Sequence, residues 1–563
     1  MSVIVPVRYA GRSAIVNGLR QARVGFVANQ LRDPAFFRGA LRDPVLFREG
    51  LAALYSVVVS DHKYRPRDRI EFRAWMEEQD RKFLGGLGMK SKKALARMEE
   101  LQARLDELDK ARRERLKPFW KARGDYINYV YEHEYELSYL LDPVVTVHPD
   151  QVAFEAFSRD ESTYARLAVK HDLFDEVGGF ECGTTNIDFS AKLHNELERM
   201  RSYRRTQFAV APEGFTVATD SKTHQEKKID LPDSWVMGFL QVHATMGLGL
   251  HRFPMAPVEL YNLCRFLRRH KAKVSPRSLR YELARGERVK VVLEPWNQTF
   301  ELSAPPIFDA PKPVSIRTWG RDRLQVLARL IPICKSVDVY LAGYGMPSIY
   351  VLDLGPMTFT LALSGWTDND WTGGAKFELL TRRLAVTAAE LTSTYEAIRK
   401  VRLGTDAGLG QATGLGVEKA RAALSYLCQV GRAMYDLKDN VYRHRDLFPE
   451  PFSAQEAAKA VAKATEESDP QAKAARWIFA NDQVRIIARR PVTTGYKLSG
   501  NARGQTGAQV RPLMNVDQEG KIIEATCTCE YYMKHKLTKG PCEHILALRL
   551  AHMSKLDAEQ GGV

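Results

Sequence analysis

The stretch CTCEYYMKHKLTKGPCEH, residues 527–544, decides how the end of this chain folds. It opens on Cys527-Thr-Cys529 and closes, twelve residues later, on Cys542-Glu-His544. Side chains at i and i+2 of a strand point the same way, so Cys527 and Cys529 can face one ion. Pro541 suits the start of a helix whose first turn would carry Cys542 and His544. The positive end of a helix favours thiolate over thiol there. Three thiolates and one neutral imidazole are what a tetrahedral zinc site needs, and filling all four positions makes it structural rather than catalytic. The expectation is one Zn2+ held by Cys527, Cys529, Cys542 and His544. Lys534, Lys536 and Lys539 in the loop would offset the net −1 of the loaded site. His535 also lies in the loop and could replace one ligand, but is expected to stay outside the set.

Upstream lie four strand-like runs, VRIIARR, GYKLSG, VRPLMNV and KIIEATC; downstream is the apolar helix ILALRLAHM. Strands, CxC, loop, CxH, helix: this order resembles the SWIM zinc finger over about residues 484–553, and the resemblance implies a ββα layout. The whole chain, including CGTTNIDFSAKL from Cys182, is similar to bacterial SWIM zinc-finger family proteins. That wider resemblance implies a cytoplasmic protein, partnership with a MoxR-type AAA+ ATPase and a von Willebrand A-domain protein, and no enzymatic activity.

Further toward the N-terminus, residues 453–480 are Ala-rich without a broad apolar face and read as a helical linker broken at Asp469–Pro470. Before them, residues 384–452 show two helical stretches up to Gly414. Then comes a helix with Val417, Ala420, Leu424 and Leu427 on one face, closed by Gly431. A hairpin turning at LKDN follows. This pattern resembles winged helix-turn-helix domains. Lys419, Arg421, Arg443 and Arg445 are its candidate phosphate contacts.

Residues 142–383 mix short β-like runs with helices and read as a mixed α/β body, with a helix opening at Ser190 and a hairpin turning at Pro212–Gly214. Residues 1–141 read as helical. A near-repeat, LRDPAFFRGA from Leu31 and LRDPVLFREG from Leu41, offers two Asp-Pro helix starts, Asp33–Pro34 and Asp43–Pro44. Ala94, Met98, Leu101, Leu105 and Leu108 step by fours and threes, which is coiled-coil spacing. With YINYVYEHEYELSYLL returning, they predict a helical hairpin arm. The fold class expected is therefore α+β and multidomain, with a C-terminal zinc finger in residues 481–563.

Composition bounds the function. The chain has 563 residues, 83 Lys and Arg against 68 Asp and Glu, and a net charge of +15. An excess of that size favours acidic partners, nucleic acid first. Residues 265–290 hold ten basic residues and two acids. Arg265, Arg268, Arg269, Lys271, Lys273, Arg277 and Arg280 are candidate phosphate contacts there, with Tyr261, Phe266 and Tyr281 interleaved for base stacking. Residues 483–516 add six more basic residues and no acid. Seven cysteines exclude a disulfide scaffold, and Cys182, Cys264, Cys334 and Cys428 are expected as small core residues. The longest greasy stretch, Trp235 to Leu250, is interrupted by polar residues, so no membrane partner is expected.

No nucleophile elbow, zinc-protease or phosphate-loop motif occurs. CGTTNIDF reads as a capped polar turn, and GWTDNDW (Asp368, Asn369, Asp370) as an exposed one. The leading expectation is a non-enzymatic zinc-binding adaptor for nucleic acid, protein or both. A protein scaffold working with the ATPase, and an enzyme hidden around residues 181–300, are the alternatives.

Overall fold

The computed structural model describes residues 13–18, 21–28, 35–62, 143–187, 189, 191–211, 233–248, 250–272, 276–305, 313–343, 345–365, 370–371, 377–380, 384, 386–448, 452–465, 469–492, 495–504, 507–517 and 521–560, with scattered positions from 100 to 125. They fall into two compact units, residues 1–62 with 141–563, and residues 63–140.

At the centre of the larger unit is an antiparallel sheet of eight strands. Its order is His251–Met255, Ser336–Leu341, Ser348–Asp353, Met357–Leu363, Thr163–Lys170, Gln151–Phe157, Val144–Val147 and Gly183–Asn186. Several of its strands, MTFTLAL and TYARLAVK among them, are near-continuous runs of β-branched, aromatic and small residues, the composition of strands covered on both faces. The pleat shows this. Phe154 packs on Phe26, Phe47 and Phe208, while Phe157, three residues on and facing the other way, packs on Trp235 and Phe239. Helix Pro44–Val58 lies over the first face and helix Asp233–Met246 over the second. The second approach is close. A Cβ on Gly238 would meet the Phe157 ring at 2.7 Å, so only glycine fits.

A second sheet runs Ala14–Asn17, Gln21–Val27, Arg205–Ala211, Phe36–Leu41 and Phe174–Glu181, with Gln21–Val27 and Arg205–Ala211 parallel. This corrects the all-helical reading of residues 1–141. The first copy of the near-repeat forms the strand FFRGAL. Adjacent phenylalanines favour a sheet, Gly39 weakens a helix, and pairing with Arg205–Ala211 and Phe174–Glu181 outweighs the repeat. Its Asp33–Pro34 start lies outside the described residues. The second copy is the expected helix: Asp43 Oδ1 accepts from Leu46 N at 2.9 Å and Pro44 opens it. The polar turn expected at CGTTNIDF is also corrected, since Gly183–Asn186 is a sheet strand paired with Val144–Val147. Helix Ala191–Leu197 follows, with Leu193, Leu197 and Met200 buried. The hairpin turn at Pro212–Gly214 lies outside the described residues.

A four-stranded sheet, Gln298–Glu301, Lys290–Leu293, Leu279–Leu283 and Val314–Thr318, stands near helix Pro257–Arg269 in sequence. Residues 384–452 form helices Ala388–Val401, Asp406–Thr413 and Val417–Gln429 and a small sheet ordered Leu403–Gly404, Val441–His444, Ala433–Asp436. Thr387 and Glu390 make a reciprocal cap on the first helix, and Gly431 (φ 74°) follows the last, as its position suggested.

In the smaller unit the described positions from 100 to 118 are helical, with Leu101 and Leu108 half or more exposed. Ala94, Met98, Leu105 and the returning segment YINYVYEHEYELSYLL lie outside the described residues. No helix among the described residues is long and apolar enough to cross a membrane.

Candidate metal centre and basic surfaces

The zinc-finger sheet is ordered Val484–Val492, Gly495–Arg503, Leu513–Asp517, Ile522–Thr526, each pair antiparallel. Strand Ile522–Thr526 delivers Cys527. Cys529 then caps the short helix Glu530–His535, its sulfur accepting from Tyr532 N at 3.4 Å. The chain returns through a positive-φ turn at Gly540, and helix Glu543–Gln560 begins just after Cys542, placing His544 in its first turn.

All four side chains are buried, and their ligand atoms lie within 4.8 Å of one another. Without a cation this arrangement is frustrated. Three sulfurs compete for protons: Cys529 is held far below the usual thiol value by hydrogen bonds from Cys527 and Cys542. Cys527 is pushed up to about 11 by its hydrogen bond to Cys529, and Cys542 is pushed up by its bonds to both. His544 Nδ1 is buried with no partner among the described residues. A divalent cation accepts all four donors at once and stabilises every sulfur as thiolate. The donor set therefore fits zinc and closes it off from a substrate. His535 is not in the cluster; its ring packs on Tyr531, centroids 5.1 Å apart. Lys536 lies over the Tyr532 ring.

Two supports of this centre had no clear sequence signal. Gly504 sits against His544, where a Cβ would come within 3.0 Å of both Nε2 and Glu543 Oε1. Helix Pro470–Ala480 packs on helix Glu543–Gln560, burying Ala472, Ala475 and Ile478, and Gln471 Oε1 accepts from Glu543 N at 3.0 Å. The linker reading of residues 453–480 is thus corrected over 470–480. The break at Asp469–Pro470 stands, since Asp469 Oδ1 accepts from Gln471 N and Ala472 N. Two alanines and an isoleucine at intervals of three, Ala472, Ala475 and Ile478, were enough to bury a face.

The predicted phosphate contacts divide. Arg443 and Arg445 are corrected: both are buried in ion pairs. Arg443 reaches Asp436 at 2.8 Å and Asp150 at 2.7 Å, and Arg445 reaches Glu155 at 3.1 Å. Arg166 joins Asp436 from the central sheet at 3.0 Å. The hairpin that carries these residues faces the central sheet. Arg421 is exposed and pairs with Asp406 at 2.8 Å, and Lys419 pairs with Glu390 at 2.7 Å.

In the basic stretch, Arg265, Arg268, Arg269, Lys271 and Arg277 are exposed, and Lys273 lies outside the described residues. Arg280 is half-buried, paired with Glu282 and with Glu294. Tyr281 is no stacking platform: it is buried, its hydroxyl 2.8 Å from that of Tyr350. Phe266 stacks on His270 at 4.0 Å. Of the interleaved aromatics, Tyr261 alone is exposed. Cys264 and Cys428 are buried as expected, whereas Cys182 and Cys334 are half-buried. Asp368 and Asn369 lie outside the described residues.

A model of the SWIM zinc finger family matches residues 510–552. No curated protein matches the chain. Among solved structures, the proliferating cellular nuclear antigen of Entamoeba histolytica is similar at 12% identity and a TM-score of 0.28, over 40% of this chain and 88% of that one. A likeness that low carries no argument about fold or function. The family match coincides with the buried ligand cluster: residues 510–552 are a SWIM zinc finger in which Cys527, Cys529, Cys542 and His544 are positioned to bind one zinc ion.

Proposed function

We propose that the chain is a non-enzymatic adaptor that binds nucleic acid, with zinc holding its C-terminal module in shape. The observation that carries this reading is the outer stripe of helix Pro257–Arg269. Leu260, Leu263, Cys264 and Leu267 turn inward, so Tyr261, Arg265 and Arg269 line up outward at steps of four, with Lys271 next. The helix's one acid, Glu259, is already engaged, accepting from Ala256 N at 2.7 Å and from Ser303 N. Arg265, Arg269 and Lys271 have no acidic partner among the described residues. An uncompensated cationic stripe with one exposed aromatic suits phosphates and an occasional stacked base. The closed zinc site, with every position filled by protein, supports a structural role for the metal.

The order helix, strand, helix, helix, strand, strand over residues 388–444 supports reading that part as a winged-helix module. Its wing is turned inward, so it serves here as a joint within the chain rather than a groove reader.

Binding of duplex and single-stranded oligonucleotides to the full chain, followed across salt, tests the proposal. Affinity should fall with salt at a slope near −0.9 per phosphate neutralised on duplex. R265E/R269E should reduce affinity for all sequences and cut the slope by roughly one per contact removed. No measurable binding to either form at low salt would sink the reading.

A further inference from the structure

We infer that the open face of the zinc-finger sheet docks an acidic, aliphatic-bearing segment of another protein. One face of this sheet is spent on the core: Val484, Leu498, Ala502, Met514 and Val516 are buried, and strands Val484–Val492 and Gly495–Arg503 pack under helix Glu543–Gln560. The strand register sets what the other face carries. Arg490 lies opposite Lys497, which lies opposite Asn515; the next row out is Ala488, Ser499 and Leu513; the row beyond pairs Arg485 with Asn501. A bulge at Ile487 adds that side chain to the open face beside Ala488. Ile487 is 62% exposed and Leu513 44%. Their aliphatic row is bracketed by cations, Arg490 and Lys497 on one side, Arg485 and then Arg503 on the other.

These four cations are exposed and have no ion-pair partner among the described residues, unlike the buried arginines of the central sheet. Arg489 is not one of them; it turns onto the Tyr496 ring at 4.5 Å. The face's two acids are already engaged: Glu524 accepts from Asn515 Nδ2 at 2.9 Å, and Asp517, one row beyond Arg490 and Lys497, accepts from Lys521 N at 2.8 Å. Charge alone would suit nucleic acid as well. The aliphatics decide: isoleucine and leucine gain nothing against phosphates, and none of the register-aligned residues of this face is aromatic, so there is no platform for a base. A polypeptide presenting carboxylates beside aliphatic side chains satisfies both halves, through charge-assisted bonds to arginine and burial of the apolar row. This surface is separate from the Pro257–Arg269 stripe and does not rest on the nucleic-acid reading.

The test uses zinc-loaded full-length protein and two fluorescent peptides of equal charge, one alternating Glu with Leu, the other Glu with Ser, with a single-stranded oligonucleotide as the third probe. The Glu-Leu peptide should bind more tightly than the Glu-Ser peptide. R490E/K497E, and separately I487S and L513S, should each weaken it by about tenfold or more, the loss typical of a central interface residue. R265E/R269E should leave it unchanged. Zinc content measured on each variant confirms that the finger is intact, and either aliphatic substitution alone suffices for the reading. Equal binding of the two peptides overturns the proposal. So does oligonucleotide binding that R490E/K497E abolishes and I487S and L513S leave intact.

Discussion

At the residue scale, what matters at the zinc centre is how little slack surrounds it. Cys542 is fully buried within the four-ligand cluster, so truncating it removes a ligand and leaves two sulfurs in a pocket shaped for three. Cys542→Ala should take metal content from about one zinc per chain to near none, as read by metal analysis of protein purified without chelators. Gly504 makes a finer test. Valine there drives its side chain into His544 and Glu543, so Gly504→Val should release zinc to a chelator faster than the parent chain, with the central sheet still folded by far-ultraviolet dichroism. The four ligands were legible because their spacing is local. Gly504 was not, because the contact that requires a glycine is made by a loop from another strand. The same limit explains the arginines: Arg265 and Arg443 look alike in sequence, and Arg443 is buried where Asp436 and the distant Asp150 both meet it against the central sheet.

At the element scale, the wing of residues 433–444 is held to the central sheet by charge in a dry setting. Asp436 receives Arg443 and Arg166, and these guanidiniums hold its carboxyl well below the usual carboxylate range against the cost of burial. Such a network adds little over a well-packed apolar joint, but losing one member strands the others. Asp436→Asn should therefore destabilise the chain by about 3–5 kcal/mol, read from the urea midpoint, because two buried arginines lose their shared counter-charge. Asp150→Asn should cost less, since Asp150 is partly exposed and solvent compensates. Helix starts were legible at this scale where a cap was local, as at Asp43 and at the Asp469–Pro470 break, whereas the Thr387 cap went unread. The strand FFRGAL was not, because its neighbours in the sheet, Arg205–Ala211 and Phe174–Glu181, come from distant sequence.

At the scale of the whole molecule, the net charge of +15 is a sum of two unlike populations. Some arginines are neutralised inside, around the central sheet; others, such as Arg265 and Arg269 on the Pro257–Arg269 helix and Arg485 and Arg490 on the zinc-finger sheet, have no acidic partner among the described residues. The inner population also sets the response to acid. His148, between two strands of the central sheet, and His243, on the helix covering it, are both buried. Burial first, and then Arg443 and Arg166 near His148 and Arg445 and Arg166 near His243, hold both imidazoles well below their usual value. His243 is used as a neutral ring, its Nδ1 accepting from Tyr435 N at 3.4 Å. In the unfolded chain each would protonate near the ordinary value of about 6.5, so below that pH the unfolded state binds protons the folded state refuses. The contribution is whole above about pH 6.5 and is lost as pH falls toward the depressed folded values. The urea midpoint, measured with zinc in excess to keep the finger loaded, should stay level from about pH 8 to 7 and drop between about 6.5 and 5. A chain carrying H148Q/H243Q should start lower and fall less steeply over the same interval. A parent midpoint that stays level down to about pH 5 would show that these two rings take up protons in place.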